Sequence, residues 1–325
     1  MSVLGVLPYW QLGPWELGPL TLHSFGLSVV TGIILALWLV GRFGNRVMGV
    51  HPEKVHNLAI YLVICGWIFS HVFEVLTYQP HVLRENPFIL FQVWGSISSV
   101  GGVLGGGLAY IVWCYRNPDE DHLAWASLAA WTLPFAFLFG RIGCALVHDH
   151  PGQAAADFGL WNWIYDVTDG AVPEIFPLAM EFPDGVIRHD LGFYEAIWWA
   201  GISVLFLYLS LKPRRRGLYL WLLPLLYAPY RFMLDFLRAQ PGDLAYGGDV
   251  RYLGLTPAQY TVALFFILGI YGWTRWRNNE VMEWEAHKEG DGKKDKKEQD
   301  VKGVVNVDNE GNVKKGKNKK RRKGK

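Results

Sequence analysis

The sequence predicts an all-α membrane protein: a bundle of about seven transmembrane helices, N-terminus extracytoplasmic and C-terminus cytoplasmic. Three observations predict it. Up to about residue 277 long apolar runs alternate with short polar links, so that 51% of the 325 residues are hydrophobic and only 18% charged. Lys and Arg crowd into alternate links. The few ionisable residues inside the runs fall at one depth, where burial is costly and function is the default explanation.

Residues 1–23 read as an extracytoplasmic segment, because no basic stretch precedes a short apolar core as in a cleavable leader. Spans follow at 24–42, 57–77, 89–114, 122–147, 194–211, 217–237 and 258–274. Each is near the ~20 residues a helix needs to cross ~30 Å of hydrocarbon. One set of links holds Arg42, Arg46 and Lys54, then Arg116, then Lys212, Arg214, Arg215 and Arg216; the other spreads Arg84, Arg188, Arg238 and Arg251 over longer stretches. The denser set faces the cytoplasm. The link at 148–193 is then outside, and Trp161, Trp163, Ile164, Tyr165, Phe176 and Phe182 suggest a compact aromatic cap within the domain 24–277.

Residues 278–325 are a basic cytoplasmic tail too poor in apolar residues to fold, so disorder is expected, with affinity for anionic inner-leaflet lipid. The other reading of such a run, contact with nucleic acid, rests on charge alone, and no nucleic-acid partner is expected. Cys65, Cys114 and Cys144 lie in apolar runs without paired spacing and read as structural thiols.

Arg141 sits about two turns from the outer end of the fourth span, and Arg231 is at similar height in the sixth. Asp235 and Arg238 follow Arg231 by four and seven residues, on one helix face. His71 and Glu74 lie near the outer end of the second span, and Glu195 opens the fifth. This level matches an outer-leaflet phosphate, for which Arg is suited. Two other readings stand beside it: an ion-pair network that only locks the bundle, and a transport path, for which the cytoplasmic halves carry few charges. A retinal-type pump is disfavoured because the last span has no Lys. Gly95, Gly101, Gly102, Gly105, Gly106 and Gly107 in the third span allow close helix approach, or clear room for an acyl chain.

Several strings together carry a resemblance. Gly140-Arg141-Ile142-Gly143, then Asp149 and Gly152, resembles the Gly-Arg-x-Gly-Asn-x-x-Asn-x-Glu-x-x-Gly signature of the prolipoprotein diacylglyceryl transferase family. Tyr230 to Arg238 is similar to the family's Arg-Phe-x-x-Glu-Phe-x-Arg segment, and Arg188-His189 with Tyr194-Glu195 to its Arg-His-Pro-x-Gln-Leu-Tyr-Glu segment. Leu17-Gly18-Pro19 and Gly101-Gly102-Val103-Leu104-Gly105 fit the same order, over roughly residues 14 to 277. Val100 stands where the family has a His, Phe25 where it has a Tyr, Cys144 and Val147 where it has two Asn, and Asp149 where it has a Glu.

The resemblance implies an enzyme of the bacterial inner membrane, its active site facing the periplasmic side. It would move the diacylglyceryl group of phosphatidylglycerol to the lipobox cysteine of a prolipoprotein signal peptide. Its partners are those two substrates and membrane lipid; no cofactor is implied. Arg141, Arg231 and Arg238 would hold the lipid phosphate, oriented by Glu195 and Asp235. His148, His150 or His71 could serve as base in place of the missing His, with Asp149 beside them; hydrogen bonding of these histidines to the outer loop is the alternative. Glu74, Tyr194, Gly140 and Gly143 are secondary candidates. A metal site at His148, Asp149 and His150 is not expected, because neighbouring residues do not readily wrap one ion. The alternatives to this activity are a lipid-binding protein that keeps the fold without turnover, or a paralogue with another acceptor.

Overall fold

The computed structural model describes residues 6–276 except 19, 51, 94, 171, 213 and 241–249. The basic tail at 278–325 lies outside the described residues.

The protein is mostly helical. Among the described residues seven helices have 17 residues or more: α1 (Ser24–Met48), α2 (Pro52–Thr77), α4 (Ser99–Arg116), α5 (His122–Val147), α7 (Leu191–Ser210), α8 (Leu218–Leu234) and α9 (Pro257–Trp276). Two are short, α3 (Pro80–Glu85) and α6 (Gly159–Val167). Four segments, Ser24–Met48, Lys54–Thr77, His122–Val147 and Leu191–Ser210, are long and apolar enough to cross a membrane. Their outward faces are apolar as well: Val30, Ile34 and Trp38 form an exposed stripe along α1, at the spacing of one helix face. Such a surface suits lipid rather than water.

Polar side chains set several helix starts. Asp121 accepts from the Ala124 amide at 3.0 Å to cap α5, and Asp190 accepts from the Phe193 amide at 2.8 Å to cap α7. The second cap starts α7 at Leu191, three residues earlier than apolarity alone suggested. A larger correction concerns the third span, expected from 89. Pro87–Phe91 is a 3₁₀ turn, residues 92, 93 and 95–98 are irregular, and α4 begins only at Ser99. This apolar but non-helical stretch is tied to α2: Trp67 Nε1 donates to the Val93 carbonyl at 2.9 Å, and the His71 ring lies 2.8 Å from the carbonyls of both Ser96 and Ile89.

Helix α5 is the centre of the bundle, with Leu128, Trp131 and Phe135 packed in the core among Phe206 of α7 and Tyr219 of α8. Glycines bring neighbouring helices close. A Cβ on Gly105 would stand 2.3 Å from Phe69 Cβ, and one on Gly101 2.5 Å from Phe73 Cβ, so α2 and α4 meet at van der Waals range. Gly107 faces open space. Gly101 and Gly105 thus serve the close helix approach expected of the third-span glycines.

The 148–193 cap is partly β, which was not anticipated. Strands β3 (Pro151–Ala154), β4 (Met180–Glu181) and β5 (Ile187–Asp190) form an antiparallel sheet in the order β3-β5-β4. A second pair, β1 (Trp15–Leu17) and β2 (Leu20–Leu22), precedes α1. The N-terminal segment is threaded into the cap: the Leu7 amide donates to the Ala179 carbonyl at 2.9 Å, and the Leu12 amide to the Leu146 carbonyl at 3.0 Å. At the far end of the bundle Lys54 pairs with Glu120, and Arg216 with Asp121 at 2.5 Å.

Candidate functional site

The site grows from α5. Arg141 lies about 30 Å along the helix from Asp121, at 1.5 Å per residue, so it sits at the cap end. Its Nε pairs with Glu195 Oε2 from the first turns of α7, and its Nη2 donates to Ser99 Oγ at 3.0 Å. The other oxygen of the same carboxylate, Glu195 Oε1, receives Arg231 Nε of α8 at 3.0 Å. Arg231 Nη1 then pairs with Asp235 Oδ1, which also accepts from Arg238 Nε at 2.9 Å. Helix α8 ends at Leu234 and a 3₁₀ turn carries Asp235, so ion pairing rather than a continuous helix face aligns these three residues. Thr256 Oγ1 donates to Asp235 Oδ2, and Arg251 Nη2 to the Asp235 carbonyl at 3.3 Å. Tyr227 OH donates to Glu195 Oε2 at 3.4 Å.

Arg141 and Arg231 are 5% and 3% exposed, Glu195 1% and Asp235 0%. Isolated charges so buried would be prohibitive, and each here is offset by an opposite charge. Three arginines and two carboxylates thus alternate along one chain of ion pairs. The ion-pair network that the sequence offered as an alternative is present.

The histidines separate. His71 lies between two backbone carbonyls and holds the 89–96 turn. Glu74, nearby on α2, receives Gln79 Nε2 at 3.4 Å. His148 has Nδ1 2.5 Å from Asp190 Oδ2 and Nε2 2.5 Å from the Trp10 carbonyl, which joins the N-terminal segment to the cap. Burial opposes its protonated form, but the Asp190 and Trp10 acceptors outweigh it and raise its pKa. Both rings are thus engaged by acceptors on each nitrogen, a structural use. His150 differs: Nδ1 bonds Asp149, and both side chains are partly exposed beside buried Cys144. Burial opposes the Asp149 carboxylate, yet the His150 hydrogen bond and charge, with Arg141 behind, hold its pKa below the usual range.

His189, in β5, is fully buried; its Nδ1 lies 2.9 Å from Tyr194 OH, which in turn donates to the Leu178 carbonyl at 3.2 Å. Tyr194 is therefore a cap residue, not part of the arginine chain. Nδ1 carries the proton, and Nε2 has no partner among the described residues. Arg188 of β5 bonds Asp184 in the β4–β5 turn at 3.1 and 3.3 Å. Gly143 is required by packing, since a Cβ there would meet Ser28 Cβ at 3.0 Å and Phe25 Cα at 3.2 Å; Gly140 faces open space one residue before Arg141.

Sequence reasoning missed Ser99, Tyr227, Arg251 and Thr256, which join the chain through contacts remote in sequence. It also missed Cys144, whose Sγ lies 3.8 Å from Arg141 Nη1 and close to Asp149 and His150. The available signal was its place within the Gly-Arg-x-Gly signature.

Residues 14–275 match the prolipoprotein diacylglyceryl transferase family. Among curated relatives, the phosphatidylglycerol–prolipoprotein diacylglyceryl transferase of Nitratidesulfovibrio vulgaris is 30% identical over 86% of this chain and 99% of its own. Proteins of the same name from Chromohalobacter salexigens and Symbiobacterium thermophilum are 31% and 27% identical, each over 78% of this chain and 88% of its own.

Proposed function

The chain belongs to the prolipoprotein diacylglyceryl transferase family, and from that premise we propose that it transfers the diacylglyceryl group of phosphatidylglycerol to the cysteine thiol of a prolipoprotein. The observation that carries the reading is the Arg141–Glu195–Arg231–Asp235–Arg238 chain, which gathers three guanidiniums at the cap end of the bundle. The lipid phosphate would bind at these guanidiniums. In the reaction the acceptor sulfur attacks the diacylglyceryl carbon bonded to phosphate oxygen. A C–S bond forms, the C–O bond breaks, and glycerol phosphate leaves with the electron pair. Charge grows on the leaving phosphate, and preorganised arginines in a site shielded from water stabilise it. Glu195 and Asp235 act as positioning residues that aim the guanidiniums. The acceptor thiol loses its proton beside Arg141, at the Cys144–Asp149–His150 group.

The bundle spans the bacterial inner membrane seven times, with this site at the outer leaflet. Support comes from the opposite end, where Lys54 and Arg216 gather with the other basic links, as cytoplasmic ends do. An exported lipobox cysteine and an outer-leaflet headgroup then meet at one level. Val100 and Phe25, where the family carries His and Tyr, favour a second reading: lipid binding without turnover.

A lipidation assay in membranes separates the two. Phosphatidylglycerol and a preprotein with one lipobox cysteine should give a thioether-linked diacylglyceryl product, which Arg231→Ala abolishes. Retained phosphatidylglycerol binding with no product would establish the second reading; wild-type rates from Arg231→Ala would remove the phosphate role.

A further inference from the structure

We propose that residues 6–12 form a strap over the cap, fastened by the protonated His148 ring and released when that ring loses its proton. The latch stands independently of the function proposed above.

The strap is tied at both ends. Leu7 forms a parallel bridge with Met180, and its amide donates to the Ala179 carbonyl at 2.9 Å, so this end adds to the outer edge of β4. At the other end the Leu12 amide donates to the Leu146 carbonyl at 3.0 Å, and Ser24 Oγ donates to the Leu12 carbonyl at 2.7 Å. Between them the His148 ring reaches the Trp10 carbonyl and packs on Tyr9, with ring centroids 4.5 Å apart. Helix α5 ends at Val147, and the left-handed backbone of His148, φ 52° and ψ 43°, turns the ring off the helix toward the strap.

Hydrogen-bond chemistry makes this contact depend on a proton. Nδ1 lies 2.5 Å from Asp190 Oδ2 and Nε2 lies 2.5 Å from the Trp10 carbonyl oxygen. Asp190 Oδ1 accepts from the Phe193 amide at 2.8 Å, as a carboxylate does. Both ring nitrogens therefore face acceptors, and only an imidazolium donates from both. A neutral ring keeps one N–H. The charged Asp190 takes it, and the Nε2 lone pair is left facing the Trp10 oxygen. The His148 and Asp190 side chains are 2% and 1% exposed, so solvent is shut out of the contact and the strap lifts.

Among the described residues, the titratable and charged groups that face the ring are Asp190 of β5, Asp149 in the link after α5, and Tyr9 of the strap. Trp10 and Phe182 present aromatic rings at 6.4 and 5.7 Å. Both carboxylates and the face of Tyr9 favour the imidazolium. Burial opposes it, but the Asp190 and Trp10 acceptors prevail and the pKa of His148 is raised. Burial and Asp190 also raise the Tyr9 hydroxyl above its usual value, so Tyr9 stays neutral through the same range. The fastening is complete below about pH 6.5, the value of an exposed imidazole, and is lost as pH rises through the higher value of the folded ring. Release leaves β4 a free sheet edge, with Leu12 and Ser24 as the hinge.

Hydrogen exchange of the full chain in detergent tests the latch, read amide by amide and normalised to an unstructured peptide at each pH. Raising the pH from about 6 to about 9.5 should cut protection of the Leu7 amide about tenfold or more, as loss of a charge-assisted hydrogen bond implies, and should leave Leu12 protected. Asp190→Asn separates charge from packing. Its side-chain oxygen still caps α7 and its amide donates to Nδ1, so a neutral ring can give its Nε2–H to Trp10. Leu7 in this variant should be equally protected at both pH values. His148→Asn tolerates the left-handed backbone but is too short to reach both oxygens, and it should lose Leu7 protection at both pH values. Equal protection of Leu7 at the two pH values in the parent would overturn the latch. So would a parent-like pH dependence in Asp190→Asn, even where His148→Asn fails to fold. Loss of protection at Leu12 in step with Leu7 would overturn the hinged strap, since the whole N-terminal region would then be unfolding.

Discussion

Replacing Glu195 by Gln probes the centre of the arginine chain with little change of shape. One carboxylate holds Arg141 through Oε2 and Arg231 through Oε1. Arg231 keeps Asp235 after the change, whereas Arg141 loses its direct ion pair and keeps Ser99 and Cys144 as neutral contacts, with the Asp149 carboxylate nearby. Removing one partner of a buried ion pair costs about 3–5 kcal/mol, because the charge left behind is desolvated and uncompensated. The retained contacts favour the lower end. At about 2–4 °C per kcal/mol, a loss of about 3 kcal/mol lowers the melting temperature by about 6–12 °C. The assay is thermal unfolding in detergent followed by tryptophan fluorescence. A packing defect and a charge defect differ in a second readout. With Glu195 neutral the site carries one negative charge fewer, so inorganic phosphate should raise the melting temperature of Glu195→Gln more than that of the parent. Transfer should fall as well, because the guanidiniums lose the group that aims them. A variant that melts within about 1 °C of the parent and is blind to phosphate would refute the account.

Burial of His189 makes stability depend on acidity. Loss of hydration lowers its pKa to about 4, against about 6.5 when exposed. The unfolded chain therefore takes up the proton first on acidification. The stabilisation is full above pH 6.5 and is lost as pH falls toward 4. Denaturant titrations should show about 2 kcal/mol less stability at pH 5 than at pH 7.5 from this residue, and His189→Phe should reduce that difference; an unchanged pH dependence would count against it. Gly105→Ala should cost about 1–3 kcal/mol by overpacking against Phe69, whereas Gly107→Ala, facing open space, should be neutral or stabilising by up to about 1 kcal/mol. Equal melting temperatures for the two would contradict the α2–α4 contact. Arg251→Ala should weaken transfer less than Arg231→Ala, because its described bonds go to carbonyls, one of them that of Asp235; equal losses would move Arg251 into the phosphate clamp.

The helical elements were legible because apolar runs near bilayer length leave few alternatives, and because hydration makes an Arg or Glu inside such a run conspicuous. Where the reading failed, local polar contacts prevailed over apolarity. The stretch from Pro87 to Ser98 is apolar enough to pass for a span, but its carbonyls bond His71 rather than continuing a helix. The cap strands were hidden because short, bulged pairs leave little period-two pattern. Glu195 and Asp235 were foreseen as partners of the arginines, while the sharing of one carboxylate by Arg141 and Arg231 was not.

By itself the sequence determined the mostly helical membrane class and the arginine and carboxylate residues of the site. Both follow from the cost of placing polar groups in hydrocarbon, a property of composition along the chain. Only the tertiary structure decided which donors meet. His148, Asp149 and His150 are adjacent in sequence, yet one left-handed residue sends the first ring to the N-terminal segment and the next two side chains toward Cys144. A single backbone dihedral has no signature in hydropathy or spacing, and it separates a structural histidine from the edge of the site.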